Sequence, residues 1–427
     1  MVVNYSNKNI TYLHIVFYRS KLSLCIKSSK PQPKVMQYLL EVKNTREKKE
    51  FLHFPVALYK NEKNWIRPLN VDIEGIFDPL RNKLFRNGEC IRWILRNEKN
   101  QTIGRVAAFI DYKTAQNNDQ PTGGMGFFEC INDKQAAFAL FDACKSWLQQ
   151  RGMEAMDGPI NFGDREQWWG LLVDGFIPPN YAMPYNFPYY QELFELYGFQ
   201  NYFNQYTYHR EISQDHIKPE LVEKARRIFQ NPDYTFRTIE KKNLKKYADD
   251  FCTIYNKAWA RFPGVKPFTV AHAMIMIGKL KPILDERLMI YTYYKDEPIA
   301  FFIMHPEINQ IIRHLNGKLS GWGKLKFWYL LKTGCCTKVL GQIFGVVPEH
   351  RGKGIEGAQI LKFTEIAKDT KFRYKELEMN WIGDFNPIMM KMVGQIDATI
   401  VKTHVTYRFL FDRTREFKRA RKVNVRE

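Results

Sequence analysis

The chain has 427 residues, 45% of them hydrophobic and 15% aromatic, with a formal charge of +20. That length implies two or three domains, and that composition excludes a generally disordered chain. The seven cysteines are scattered without a recurring CxxC, and the nine histidines include no HxxxH pair, which excludes a disulfide framework and argues for reduced thiols in a cytoplasmic protein without a metal site.

In chain order, residues 1–35 carry six basic residues (Lys8, Arg19, Lys21, Lys27, Lys30, Lys34) and no acid. The apolar run ITYLHIVFY is interrupted by His14, no small-residue cleavage site follows, and KSSKPQPK (27–34) reads as a linker. Residues 1–35 are therefore expected to be a basic, poorly packed extension. No apolar run reaches the roughly 18 residues that a spanning helix needs. The other end, 412–427, has seven bases against three acids, and 413–427 reads as a basic tail. Half of the net charge thus sits on the two ends. A nucleic-acid surface places a basic stripe with interleaved aromatics on the folded body, so solvated tails are the expectation; acyl carrier protein, an anionic membrane and RNA are the acidic partners open to them.

Between these ends the chain repeats itself at an offset of about 200 residues, far longer than a solenoid period. The hairpins 90–111 and 287–306 each lead into a glycine-containing strand (123–131 and 340–347) and then a long helix (133–152 and 354–370). Asn186–Tyr208 and Asn386–Tyr407 each open with Asn near a Pro, run through an amphipathic helix and end in a β-branched and aromatic strand. Ala137, Leu140, Phe141, Cys144 and Leu148 form an apolar stripe at helical spacing and read as core. The hairpins predict antiparallel pairing and the crossover helices one parallel pair per copy. The fold class is α/β, with mixed, largely antiparallel twisted sheets flanked by helices. The expected units are 36–212 and 213–412, divided near the polar stretch 211–218.

The copies differ at one loop. In the second, VVPEHRGKGIEG (346–357) ends a strand at Val347 and places Gly352, Gly354 and Gly357 before a helix. Free amides and the helix dipole there favour an anion. No Gly-Lys-Ser/Thr closes a Walker loop, and the near-match to GxGxxG follows a hairpin instead of opening alternating βαβ units. In the first copy Asn132 and Asp133 cap the helix directly. DGPINFGDREQWWG (157–170) is a Gly-, Pro- and Trp-rich loop of the kind that carries binding residues; Asn161, Trp168 and Trp169 either line an acceptor cleft there or pack between the units. Glu129, on an apolar strand, reads as a satisfied half-buried carboxylate.

The string V-x-P-E-x-R-G-K-G-I resembles motif A of the GNAT superfamily, the acyl-CoA-dependent N-acyltransferases, whose pattern is Arg/Gln-x-x-Gly-x-Gly/Ala. Arg351 and Gly354 match; Glu356 stands at the last position instead of Gly or Ala. ELEMNWIGDFNPIMMKM is similar to the fifth strand of that family and the Asn, here Asn386, that opens its next helix. WIRPL, GFFECIND, GMEAMDGPINFG and WWGLLVDGF resemble a bacterial group of large tandem GNAT-like proteins.

The resemblance implies two tandem GNAT-like domains, the first without a CoA loop, and acyl transfer from acetyl-CoA or a longer acyl-CoA, or from acyl carrier protein, to a small-molecule or peptide amine. It implies contacts to the cosubstrate from Phe344, Val346, Val347, Arg351, Gly352, Lys353, Gly354, Ile355 and Asn386. The helix 386–396 lacks the tyrosine that the family often uses as general acid. The amide of Val346 is a candidate oxyanion donor, and Glu378 is a candidate base or an ordinary strand carboxylate. A monomer is expected, with no transmembrane segment and with nucleic acid disfavoured. Two alternatives stand beside this reading: a non-catalytic module derived from such an enzyme, and an anionic-surface binder acting through its tails.

Overall fold

The computed structural model describes residues 37–212, 217–259 and 267–422. The expected N-terminal extension, the centre of the polar stretch between the copies and the last five residues lie outside that range. The first half runs β1 (Tyr38–Glu41), α1 (Thr45–Leu58), α2 (Asn70–Ile76), β2 (Gly88–Arg96), β3 (Thr102–Asp111), β4 (Thr122–Cys130), α3 (Lys134–Gln149), β5 (Ala155–Gly158), β6 (Leu171–Asp174), α4 (Tyr189–Tyr197) and β7 (Gln200–Glu211). The second runs α5 (Pro219–Gln230), β8 (Tyr234–Thr238), α6 (Leu244–Trp259), α7 (Val270–Leu280), β9 (Met289–Tyr294), β10 (Glu297–Pro306), α8 (Asn309–Ile312), α9 (Gly321–Lys332), β11 (Lys338–Val346), α10 (Ile355–Ala367), β12 (Glu376–Gly383), α11 (Pro387–Gln395) and β13 (Thr399–Leu410).

Local chemistry accounts for the punctuation. Asn44 and Glu47 form a reciprocal capping box at the start of α1, which satisfies amides that a helix leaves free. The β9–β10 hairpin turns on Lys295 and Asp296, both at positive φ. Two successive left-handed residues match the twist of paired strands. The stripe of α3 is core, as expected: Ala137, Leu140, Phe141, Cys144 and Leu148 are all fully buried.

Both halves build the anticipated pattern of an antiparallel hairpin, a third strand, a crossover helix and a parallel fourth strand. β4 pairs β5 in parallel at Thr122–Gly124, and β11 pairs β12 in parallel at Lys338–Gly341. The final strands are exchanged. β13 pairs β5 of the first half, and β7 pairs β12 of the second. With β7 and β13 also paired to each other, the described strands form one 13-stranded sheet in the order β1-β2-β3-β4-β5-β13-β7-β12-β11-β10-β9-β8, with β6 on β13. Each half's fourth strand is thus completed by a strand from the other half.

Helices cover both faces, over separate apolar clusters. One lies under α3 and α4 in the first half. Two lie in the second half, one under α10 and α11 and one under α6. In the basic C-terminal segment, Arg415 pairs with Glu154, Arg419 with Asp384 (2.6 Å) and Arg421 with Asp119 (3.1 Å). These are exposed pairs that add little stability, and they neutralise part of the tail's charge against the body.

Candidate functional site

β11 and β12 diverge. Their pairing ends at Gly341 and Met379, yet β11 continues to Val346. At that point β11 carries an extra residue: Ile303 opposes Ile343 and Met304 opposes Gly341, so Gln342 bulges. A bulge bends its strand and terminates pairing. The edge of β11 beyond it borders an open wedge. The amide of Val347 donates to the carbonyl of Ile299 on β10 (2.9 Å). Successive peptide groups of a strand face opposite sides, so the amides of Phe344 and Val346 face the wedge. The carbonyl of Val346 points the same way and accepts from Arg351 Nε (3.1 Å).

The glycine loop crowns this wedge. A short turn at Pro348–His350 follows the strand, and α10 begins after Gly354, whose φ of 102° is left-handed and which has no side-chain cap. The amides of Gly352, Lys353, Gly354, Ile355 and Glu356 make no hydrogen bond of good geometry to the protein among the described residues, although residues 351–354 form a turn. Arg351 is turned into the fold, with Nη2 on the carbonyl of Ala258 (2.6 Å), so its guanidinium ties the loop to α6. Asn386 caps α11 by accepting from the Met389 amide (3.3 Å). The loop is flanked by α5: a Cβ on Gly354 would stand 2.9 Å from Lys224 Cβ, and one on Gly357 2.7 Å from Leu221 Cγ. Between α5 and α11 a groove of about 440 Å³ is lined by Lys218, Lys224 and Lys391 together with Glu220. The loop thus offers bare amides beside a basic groove, a combination suited to a phosphate-bearing ligand.

Below the wedge lies a buried polar cluster drawn from both halves. Glu378 on β12 is 1% exposed. It accepts from Lys402 Nζ (2.7 Å) on β13 and Asn180 Nδ2 (2.7 Å), contacts Lys338 closely, and lies 3.7 Å from His209 Nδ1. Burial alone would raise its pKa; His209, Lys402 and Lys338 outweigh burial and hold it well below the usual carboxylate range. A carboxylate so held is a poor proton acceptor. Glu307, 3% exposed, takes the amides of Tyr181 (3.0 Å) and Asn309 (2.7 Å). Burial pushes it up to about 7 against those two hydrogen bonds. His209, Glu376 and Glu378 also lie within mutual reach, with the Lys338 ammonium already among them.

His305, which the sequence reading passed over, sits on β10 beside the bulge. Its Nδ1 lies 3.0 Å from the Pro306 carbonyl and its Nε2 3.0 Å from the Gln342 side chain. Burial depresses its pKa, so the ring is neutral near pH 7. Both neighbours are oxygens that only accept, the Pro306 carbonyl and Gln342 Oε1, so the neutral ring donates to one of them at a time.

The first-half candidates lie elsewhere. Trp168, at φ 43°, lines a partly open cavity of about 90 Å³ with Phe127, Arg105 and Glu129. Trp169 is buried beside Phe203 and Phe162, and Asn161 is 3% exposed and does not line that cavity. Glu129 is more buried than the sequence suggests; it accepts from the hydroxyls of Tyr59 (2.6 Å) and Tyr190 (2.9 Å).

A wedge of splayed parallel strands, a bulge at its throat and a glycine loop at its mouth, in a duplicated mixed sheet, define a tandem GNAT fold. A tandem GNAT protein from the clavulanic acid pathway, solved without AcCoA, superposes with a TM-score of 0.51 at 10% identity, over 89% of this chain and all of that one. The sequence is 28% identical to Protein YghO of Escherichia coli over 85% of this chain and 93% of that protein. It is 25% identical to the bacterial ceramide synthase of Caulobacter vibrioides over 86% and 96%. No family model matches the sequence.

Proposed function

We propose that the protein is an N-acyltransferase that takes an acyl group from a CoA thioester and delivers it to the amine of a long-chain amino alcohol. The observation that carries the acyl-CoA part is the row of unoccupied amides at Gly352–Glu356 above an open strand edge. Weakly engaged donors at a helix N-terminus suit a diphosphate, and Lys353, Lys224 and Lys391 add charge around it. The acceptor class comes from the Caulobacter relative, named a ceramide synthase; a ceramide is a long-chain amino alcohol carrying a fatty acyl amide.

Direct transfer needs an unprotonated amine, an oriented carbonyl and a donor to the developing oxyanion. The wedge-facing amides of Phe344 and Val346 are the donors. The amine enters unprotonated; His305, neutral and hydrogen-bonded to the exposed bulge residue Gln342, is a positioning residue for the edge of β11. Glu378 then serves structure: it holds β12, β13 and the 180 loop together.

Calorimetric titration with palmitoyl-CoA and acetyl-CoA tests the donor site, with Gly354→Val as control. Binding by the wild type, weakened at least about tenfold in the variant, is expected; equal binding by both, or by neither, ends the reading. Release of thiol in the presence of sphinganine, but not in its absence, separates an enzyme from a binding module derived from one. A rate that is reduced in His305→Ala with an unchanged pH profile supports the positioning role.

A further inference from the structure

We infer that helix α9 docks the protein onto an anionic lipid bilayer. The helix has two apolar faces. One packs inward: Leu331 is buried, and Phe327 and Leu330 lie against the second-half core. The other faces outward. Trp322 is 83% exposed, Tyr329 67%, Leu325 63% and Trp328 44%, with Leu319 exposed just before the helix. Trp322, Leu325 and Tyr329 follow one another at helical spacing, so they form a continuous stripe where a surface helix normally carries polar residues. A patch of this kind marks an interaction surface.

The charge around it identifies the occupant. Between Glu307 and Glu349 the sequence contains no acidic residue, whereas Arg313, Lys318, Lys324, Lys326 and Lys332 flank the stripe. A second copy meeting this face across a two-fold axis would bring lysine against lysine. An anionic headgroup layer complements them instead, and Trp and Tyr favour the depth where headgroups meet acyl chains. Apolar residues on one side with lysines at the border are what an in-plane interfacial helix requires. A neighbouring helix extends the surface: α7 exposes Met274, Ile275 and Met276, and Ile283 just beyond its end packs on the same small cluster as Phe327. No helix among the described residues is long and apolar enough to cross a membrane, so the contact is peripheral.

This inference rests on the α9 surface alone and does not depend on the transferase reading. The full chain is floated with vesicles of phosphatidylcholine, with and without phosphatidylglycerol, in the absence of acyl donor. Binding to the phosphatidylglycerol vesicles is expected, with Leu325→Glu and the double variant Lys324→Glu/Lys332→Glu each weakening it on the order of tenfold or more. Circular dichroism melting confirms that these exposed substitutions leave the fold intact. Absence of wild-type flotation overturns the proposal, as does undiminished flotation of Leu325→Glu, which would assign any binding to the basic ends. Lipid-free self-association abolished by Leu325→Glu, without flotation, also overturns it and makes the face a contact between copies.

Discussion

The two halves share a plan and differ at one opening. In both, a parallel strand pair forms at its N-terminal end and then separates. In the first half the separation is filled. The Ile160 amide donates to the Met125 carbonyl (2.8 Å), and a Cβ on Gly126 would stand 1.8 Å from the Ile160 oxygen. The helix beyond begins under a side-chain cap, with Asp133 Oδ1 accepting from the Ala136 amide (2.8 Å). In the second half no such backbone bond closes the wedge among the described residues, the Arg351 guanidinium reaches it at the Val346 carbonyl, and α10 begins uncapped behind two left-handed glycines. The same scaffold thus yields one copy closed by backbone hydrogen bonds and one copy without them, and the difference lies in a few such bonds.

The largest expected effect probes the buried charge beneath each opening. Glu378 is held as an anion by two lysines, whereas burial raises Glu129 against Arg105, Tyr59 and Tyr190. Glu378→Ala leaves Lys402 buried without its partner and Lys338 with Glu376 alone, and should cost about 3–5 kcal/mol in urea unfolding. Glu129→Gln keeps an acceptor for the tyrosine hydroxyls and should cost clearly less. The pH signatures are opposed. Glu378, with a folded pKa below its unfolded value, contributes stability above about pH 4.5 that is lost on acidification. Glu307, raised to about 7 in the fold, contributes stability that is complete below about pH 4.5 and lost as pH rises through 7. Melting temperature against pH should therefore peak near about pH 4.5 and fall toward 7, and Glu307→Gln should flatten that fall. An unchanged profile in that variant would remove Glu307 from the account.

The next effect tests closure of the first half. Gly126→Ala forces the 159–162 segment away from β4 and should cost about 1–3 kcal/mol by overpacking, measured by thermal unfolding. Gly341→Ala, at the matching separation of the second half, meets only the flexible Met379 side chain at 3.0 Å and should cost less. Equal losses would mean that the two wedges are alike.

Much of this was legible in the sequence. The duplication, the order of the central strands and helices, the α3 core stripe and the glycine loop ahead of a helix followed from periodicity and glycine placement, which are local signals. The strand exchange did not follow: β7 and β13 have similar alternating patterns, and nothing local tells either which sheet it joins. The cluster of Glu378, Lys402, Asn180 and Glu307 escaped for the same reason, since its members lie up to 222 positions apart in the chain and meet only through that exchange. Arg351 illustrates a different limit. Its charge suggested a ligand contact, but the sequence could not show that the Val346 and Ala258 carbonyls take its guanidinium. His305 meets Gln342 through the bulge, and a one-residue register shift leaves no mark in composition.

The smallest expected effects compare the two helix starts directly. Asp133→Ala removes a cap and should lower stability by about 1 kcal/mol, with no change in acyl-CoA affinity, because that helix faces a filled gap. Gly352→Ala adds a methyl group where no atom lies within 4 Å, so its cost comes only from the left-handed φ of 71°, about 1–2 kcal/mol. That strain can be relieved by turning the Gly352 peptide, which moves its amide out of the row with its neighbours. A weakened palmitoyl-CoA affinity should therefore accompany a stability loss no larger than that of Asp133→Ala by more than about 1 kcal/mol. If instead both variants lose stability and neither loses affinity, the loop is only a tight turn, and the open copy differs from the closed one in shape but not in use.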